Sequence, residues 1–187
     1  YFVGLNRILK SPKMIEISLF DRVLQSSLQD ELTGLFNRRY FDRSLERELN
    51  RARRYGKAVC LLIFVVDDFK RYNDRFGHAA GDVVLQSVGR LLRESLRRED
   101  VPCRFGGEEF VAVLPETTSE QARPLIERVI AEVAALKLDH DRVTISCGVA
   151  DFPVHGGDAR EIFLQADRAL YRAKALGKRR VCVAGED

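Results

Sequence analysis

An α/β sandwich is the fold class this sequence predicts, with a mainly antiparallel central sheet of about five strands and helices on both faces. Three observations lead there. The unbroken apolar run from Ala58 to Val66 has the length and character of a central strand buried on both faces. The apolar stretches Val101-Pro102-Cys103 and Phe110–Leu114 flank Gly106-Gly107 and read as a hairpin, because glycine reaches the φ > 0 conformations that tight turns need. Amphipathic helical stretches lie between these and two later strands, which gives strand–helix–hairpin–helix–strand, the split β-α-β arrangement.

The bulk properties agree. A chain of 187 residues suffices for one domain of ordinary size plus one extra element. Its 45% hydrophobic and 32% charged residues are those of a soluble globular protein. The net charge is only +3 and the arginines alternate with acids, so no attraction to nucleic acid follows and none is expected as a partner. No apolar run approaches the roughly 18 residues needed to cross a bilayer, and no signal peptide is visible. Cys60, Cys103, Cys147 and Cys182 sit in or beside apolar runs at spacings that match no zinc pattern. They read as buried, reduced thiols, which fits a cytoplasmic compartment. His78, His140 and His155 share no metal-ligand spacing. The chain opens on Tyr1, which reads as a piece of a longer protein, one that could itself be membrane-attached.

Taken in order, residues 1–29 differ from the rest. Ile17, Phe20, Leu24 and Ser27 or Leu28 recur at steps of three and four, a helical stripe with polar residues between. Two readings stand: a helix leading in from an upstream domain and pairing with its own copy, or a helix packed on its own domain. Gly34 and Asn37 then form a turn, and Asn37 can cap the next helix. In that helix Phe41, Leu45, Leu49 and Ala52 share a face. Arg43, Arg47, Arg51 and Arg54, interrupted by Glu46 and Glu48, read as its solvated surface.

The strand 58–66 ends at Asp67-Asp68, and residues 69–82 read as a polar connection. A helix with Val84, Leu85, Val88, Leu91 and Leu92 inward then runs to about Leu96. After the hairpin, Thr118 and Gln121 have capping-box spacing ahead of the stripe Ala122, Leu125, Ile126, Val129, Val133 and Leu136. Val143–Val149 alternates large and small residues and reads as a strand with one face in the core. Asp158 and Glu161 open a last helix carrying Ile162, Ala166, Ala169, Ala173 and Leu176. Gly177 stops it, and Val181-Cys182-Val183 closes the sheet.

Chemistry concentrates at one sheet edge. In this topology the end of the first long strand pairs beside the hairpin tip, so Asp67-Asp68 and Glu108-Glu109 converge. Each cluster alone reads as surface acid. Together they suit a hard cation, and hard cations at a few carboxylates accompany triphosphates. Backbone amides of the 67–70 turn could face phosphate oxygens, and Asn73 and Asp82 carry a donor and acceptor pattern suited to a purine edge. Lys174 and Lys178, one helical turn apart, read as ordinary surface or as phosphate ligands.

Four motifs carry a resemblance. Asp30-x-Leu32-Thr33-Gly34-Leu35-x-Asn37-Arg38-Arg39 comes first, followed by Phe69-Lys70-x-x-Asn73-Asp74-x-x-Gly77-His78-x-x-Gly81-Asp82. Arg104-Phe105-Gly106-Gly107-Glu108-Glu109-Phe110 is the third, and Ala166-Asp167-x-Ala169-Leu170-Tyr171-x-Ala173-Lys174-x-x-Gly177-Lys178 the fourth. In order and spacing, over about residues 30–184, they resemble the GGDEF domain of diguanylate cyclases.

The resemblance implies a nucleotidyl-cyclase-like topology over 30–187. It implies a reaction in which two GTP-loaded domains, paired as a homodimer through the N-terminal helix, condense two GTP into cyclic di-GMP and pyrophosphate. By the same carry-over, Asn73 and Asp82 read guanine, and Phe69, Lys70, Lys174 and Lys178 hold phosphate. Glu108 and Glu109 are catalytic. Magnesium or manganese is held by Glu108, the Val66 carbonyl and Asp67. Arg97-Arg98-Glu99-Asp100 resembles the family's inhibitory site, where Arg97 and Asp100, with Arg128, bind cyclic di-GMP. An upstream sensory domain is implied as well.

One position departs from the pattern. The family shows Asp-x-Asp-x-Phe-Lys at the end of this strand, and its first Asp, a metal ligand, is here Val65. Asp67, two residues on and on the same strand face, is the carboxylate available to take its place. A carboxylate about 4 Å from the ion is worth at most about 4 kcal/mol per unit charge at an effective dielectric near 20, or about a thousandfold in rate. Val65 therefore raises a second reading, a catalytically degenerate domain that serves as a GTP or cyclic di-GMP receptor.

Overall fold

The apolar run 58–66 becomes the central strand of the sheet. In this computed structural model, which describes residues 28–186, all eight residues of Val59–Val66 are buried. The elements are β1 (Phe36–Asn37), α1 (Arg38–Tyr55), β2 (Val59–Val66), α2 (Phe69–Phe76), α3 (His78–Ser95), β3 (Val101–Gly106), β4 (Glu109–Pro115), α4 (Ser119–Ala134), β5 (Ile145–Phe152), α5 (Ala159–Ala175) and β6 (Val181–Val183). The sheet runs in the order β1-β3-β4-β2-β5-β6. Strand β2 pairs antiparallel with both β4 and β5, β3 pairs antiparallel with β4, and the two edges are parallel pairs. The helical stripe expected at Ile17, Phe20 and Leu24 lies outside the described residues.

Alternate residues of β2 enter two different cores. Cys60, Leu62, Phe64 and Val66 pack with residues of α2, α3 and α4, while Val59, Leu61, Ile63 and Val65 pack with α1 and α5. Burying a large apolar side chain is worth about 1.5–3 kcal/mol. A strand that contributes such residues to both layers therefore fixes where its own C-terminal end lies. Helix caps follow the sequence closely: Asn37 Oδ1 accepts from the Tyr40 amide, Thr118 and Gln121 form the capping box, and Asp158 accepts from Glu161 N.

Three expectations are corrected. The sheet has six strands, because Phe36–Asn37 pairs in parallel with Cys103–Arg104. Residues 69–82 are helical, not a loop: α2 and α3 follow one another with only Gly77 between. Phe69 and Tyr72 are buried on one side of α2, a stripe too short to stand out among polar neighbours. Strand β5 runs from 145 to 152 and not from 143 to 149, since Ala150, Asp151 and Phe152 continue the pairing with Leu61, Cys60 and Val59.

Candidate active site at the end of the central strand

The hairpin tip is pinned to the end of β2. Val65 pairs with Glu109, and the Val66 amide donates to the Glu108 carbonyl at 3.2 Å. Gly107 makes the turn with φ +50°, and its carbonyl accepts two hydrogen bonds, at 3.1 and 2.8 Å, from the Arg104 guanidinium. The same guanidinium reaches both oxygens of Asp30 at 3.2 and 3.1 Å. Asp30 is in turn held by the Thr33 amide and hydroxyl, so one arginine ties the lead-in turn to the β3–β4 hairpin.

Glu108 is half-buried at this tip. Burial pushes its carboxyl above the ordinary range, the Lys174 ammonium of α5 pulls it back, and Glu109 adds to the rise. Glu108, Glu109 and Lys174 therefore lie within electrostatic reach of one another. Glu109 itself is exposed. Its cross-strand partner Val65 is only 2% exposed and packs in the apolar layer below α5.

Asp67 is differently placed. Its carboxylate accepts from Ser146 Oγ at 2.7 Å, from Thr144 Oγ1 at 2.6 Å and from the Arg179 amide at 3.3 Å, and the residue is 7% exposed. Both oxygens are occupied by donors from β5, from Thr144 just before it and from the loop after α5. That carboxylate secures the strand end and does not offer the open ligand position expected of it. Among the described residues no three His, Cys, Asp or Glu side chains form a group able to hold a metal ion.

Asp68 is the residue before helix α2; its φ of +54° is left-handed and its side chain makes no cap bond. That carboxylate instead reaches Lys178 Nζ at 2.6 and 2.7 Å. Phe69 is buried in the core and Lys70 is exposed on the first turn. Across the helix pair, Asn73 lies against Gly81: a Cβ there would sit 1.9 Å from Asn73 Oδ1 and 3.0 Å from Phe69 Cζ. Asn73 Oδ1 is buried with no hydrogen-bond partner, and exposed Asp82 is the next residue along α3. The two residues assigned to guanine thus flank one point of contact.

Arg97, Asp100 and Arg128 gather elsewhere, at the C-terminal end of α3. Arg97 donates its amide to Asp100 Oδ2 at 2.8 Å, and Arg128 of α4 reaches the Ser95 carbonyl at 3.4 Å. Burial raises the Asp100 carboxyl against the pull of the Arg97 amide and charge. Arg97 itself is exposed.

Sequence reasoning missed Thr144, Ser146 and Arg179 as holders of Asp67, Asp68 as partner of Lys178, and the Asp30–Arg104 clamp. The small polar residues alternating through 144–146 were the only available signal for the first of these. The four cysteines are free, and burial lifts the Cys103 thiol to about 12. No helix among the described residues is long and apolar enough to cross a membrane.

A split β-α-β sheet with a Gly-Gly-Glu-Glu hairpin against the end of its central strand defines a GGDEF-type domain. The family model described as "Diguanylate cyclase, GGDEF domain" matches residues 27–180, and the chain belongs to that family. Diguanylate cyclase DgcP of Pseudomonas aeruginosa is 46% identical over 165 residues, covering 86% of this chain and 24% of that protein. Response regulator PleD of Caulobacter vibrioides is 38% identical over 167 residues, covering 86% of this chain and 37% of its own. The chain thus spans well under half the length of these relatives. Among solved structures, the coiled coil and GGDEF domain of DgcB from Caulobacter crescentus, in complex with c-di-GMP, superposes with a TM-score of 0.84. Its identity is 29%, and the match covers 92% of this chain and 95% of that one. The active GGEEF domain of a diguanylate cyclase from Vibrio cholerae gives a TM-score of 0.75 at 31% identity, over 81% and 98% of the two chains.

Proposed function

We propose that this domain is a diguanylate cyclase, condensing two GTP into cyclic di-GMP and pyrophosphate, at a rate lowered by Val65. The observation that carries the reading is the convergence of Glu108, Lys174 and the end of β2, fixed by the Val66–Glu108 backbone bond. The family membership and the named cyclases among its relatives support it.

Asn73 and Asp82 read the guanine edge. The unpartnered Asn73 Oδ1 is suited to accept from a base N–H, and a carboxylate at Asp82 matches the paired N1–H and amino donors of guanine, which adenine lacks. Lys174, Lys178 and the backbone at Phe69 and Lys70 hold the phosphates. A magnesium or manganese ion fits a donor set of the Glu108 carboxylate, the Val66 carbonyl and phosphate oxygens, because magnesium commonly takes one or two carboxylates and keeps several waters. When bound, the ion would offset the negative charge of the phosphates. Glu108, its basicity raised by burial, orients and accepts the proton of the 3′-hydroxyl, with Glu109 beside it. The hydroxyl oxygen bonds to the α-phosphorus of the GTP on a second domain, the α–β phosphoanhydride bond breaks, and pyrophosphate carries away the electron pair. One domain holds one GTP, so a homodimer is needed, and residues 1–29 would join the copies and link them to an upstream sensory domain. Arg97, Asp100 and Arg128 form a site at which the product inhibits.

The buried Val65 and the engaged Asp67 favour a second reading, a GTP or cyclic di-GMP receptor with no turnover. Product formation separates the two. With GTP and magnesium the purified protein should accumulate cyclic di-GMP slowly, and Glu108→Ala should accumulate none. Equal traces in both proteins would leave the receptor reading standing.

A further inference from the structure

The Asp68–Lys178 pair is unusual for where it sits. An aspartate at the start of a helix ordinarily caps it by accepting from an amide of the first turn. Asp68 does not: its carboxylate grips Lys178 Nζ through both oxygens, at 2.6 and 2.7 Å. Three non-glycine residues at or beside this contact adopt left-handed backbone, Asp68 at φ +54°, Lys178 at +63° and Arg179 at +49°. Such conformations disfavour L residues, so the surrounding contacts must hold them. The Arg179 amide on Asp67 and the Lys178 amide on the Ala173 carbonyl, at 3.3 and 3.0 Å, do so. Both side chains remain partly open to solvent, 39% for Lys178 and 56% for Asp68, so an incoming anion can reach them.

We infer that Asp68 is an internal stand-in for phosphate, occupying Lys178 until a nucleotide's phosphate tail displaces it. The inference rests on the reading of Lys178 as a phosphate ligand. It assigns to Asp68 a role in setting affinity: the carboxylate holds the lysine in place and screens it from weaker anions, so that only a ligand with several phosphate charges takes it over. The consequence is specific to charged ligands, since guanosine, which carries no phosphate, gains nothing from freeing Lys178.

Binding of 3′-deoxy-GTP, which lacks the attacking hydroxyl, would be measured by calorimetry with magnesium for the wild type, Asp68→Asn, Lys178→Ala and the double variant. Asparagine tolerates left-handed backbone at least as well as aspartate, so Asp68→Asn preserves the turn. An exposed ion pair typically contributes up to about 1 kcal/mol, which corresponds to about a three- to fivefold tighter Kd in Asp68→Asn. Lys178→Ala should weaken binding, and in that background Asp68→Asn should lose most of its effect, while guanosine affinity stays unchanged throughout. If Asp68→Asn binds no tighter but Lys178→Ala still weakens binding, the stand-in role is wrong and the phosphate site survives. If Lys178→Ala changes nothing, both fall together. If Asp68→Asn helps equally with and without Lys178, simple repulsion by Asp68 accounts for it and the inference is overturned.

Discussion

Asn73 and Gly81 meet with no room to spare at the place proposed for the base. A methyl group at residue 81 would meet Asn73 Oδ1 at 1.9 Å and Phe69 Cζ at 3.0 Å, so Gly81→Ala must push the amide or the ring aside. Overpacking of this kind costs about 1–3 kcal/mol. Gly81→Ala should therefore lower the urea midpoint and weaken GTP binding at least about tenfold, as read by denaturation and calorimetry; unchanged GTP affinity would place the base elsewhere. At this scale the sequence was informative where a residue type is itself a signal, as with Val65 in a carboxylate position. It was silent about Asp67, whose partners Thr144 and Ser146 are 77 and 79 residues away, and about Asp68, whose partner is 110 residues away. Nothing local marks a carboxylate as already engaged.

The lead-in turn, the hairpin and the strand between them behave as one element through Arg104. Burial alone would raise the Asp30 carboxyl, but the Thr33 hydroxyl and amide and the Arg104 guanidinium outweigh it and hold the group below its ordinary 3.8. A depressed folded value means that this contribution to stability is complete above about pH 4 and disappears as the pH falls through the lower folded value. The urea midpoint of the wild type should accordingly drop towards that of Asp30→Asn as the pH is taken from about 5 to 3, with the gap widest at the upper end. Parallel curves for the two proteins would mean that the clamp does not contribute. Long periodic elements were legible from the sequence, α1, α4 and α5 with their caps among them. The eight-residue α2 was not, because its start is set by the left-handed Asp68 and its apolar positions are few. Two-residue β1 has no sequence signature at all, and exists only because β3 offers it an edge.

On the scale of the whole molecule, two proposed sites occupy separate parts of the fold: the carboxylate hairpin at the end of β2, and the Arg97–Asp100–Arg128 group at the end of α3. The second should bind cyclic di-GMP, and Arg97→Ala should abolish that binding in calorimetry; equal affinity in both proteins would remove the inhibitory assignment. The first carries the central claim, that the end of β2 and the hairpin tip make one cation–phosphate site from which a carboxylate is missing. Val65→Asp tests it most directly. A carboxylate at this buried position is unfavourable unless a cation meets it, so the variant should be less stable than the wild type without magnesium. It should be stabilised by magnesium with GTP more than the wild type is, and should make cyclic di-GMP between about tenfold and a thousandfold faster. A folded Val65→Asp protein with the wild-type rate and no added response to magnesium would contradict the account.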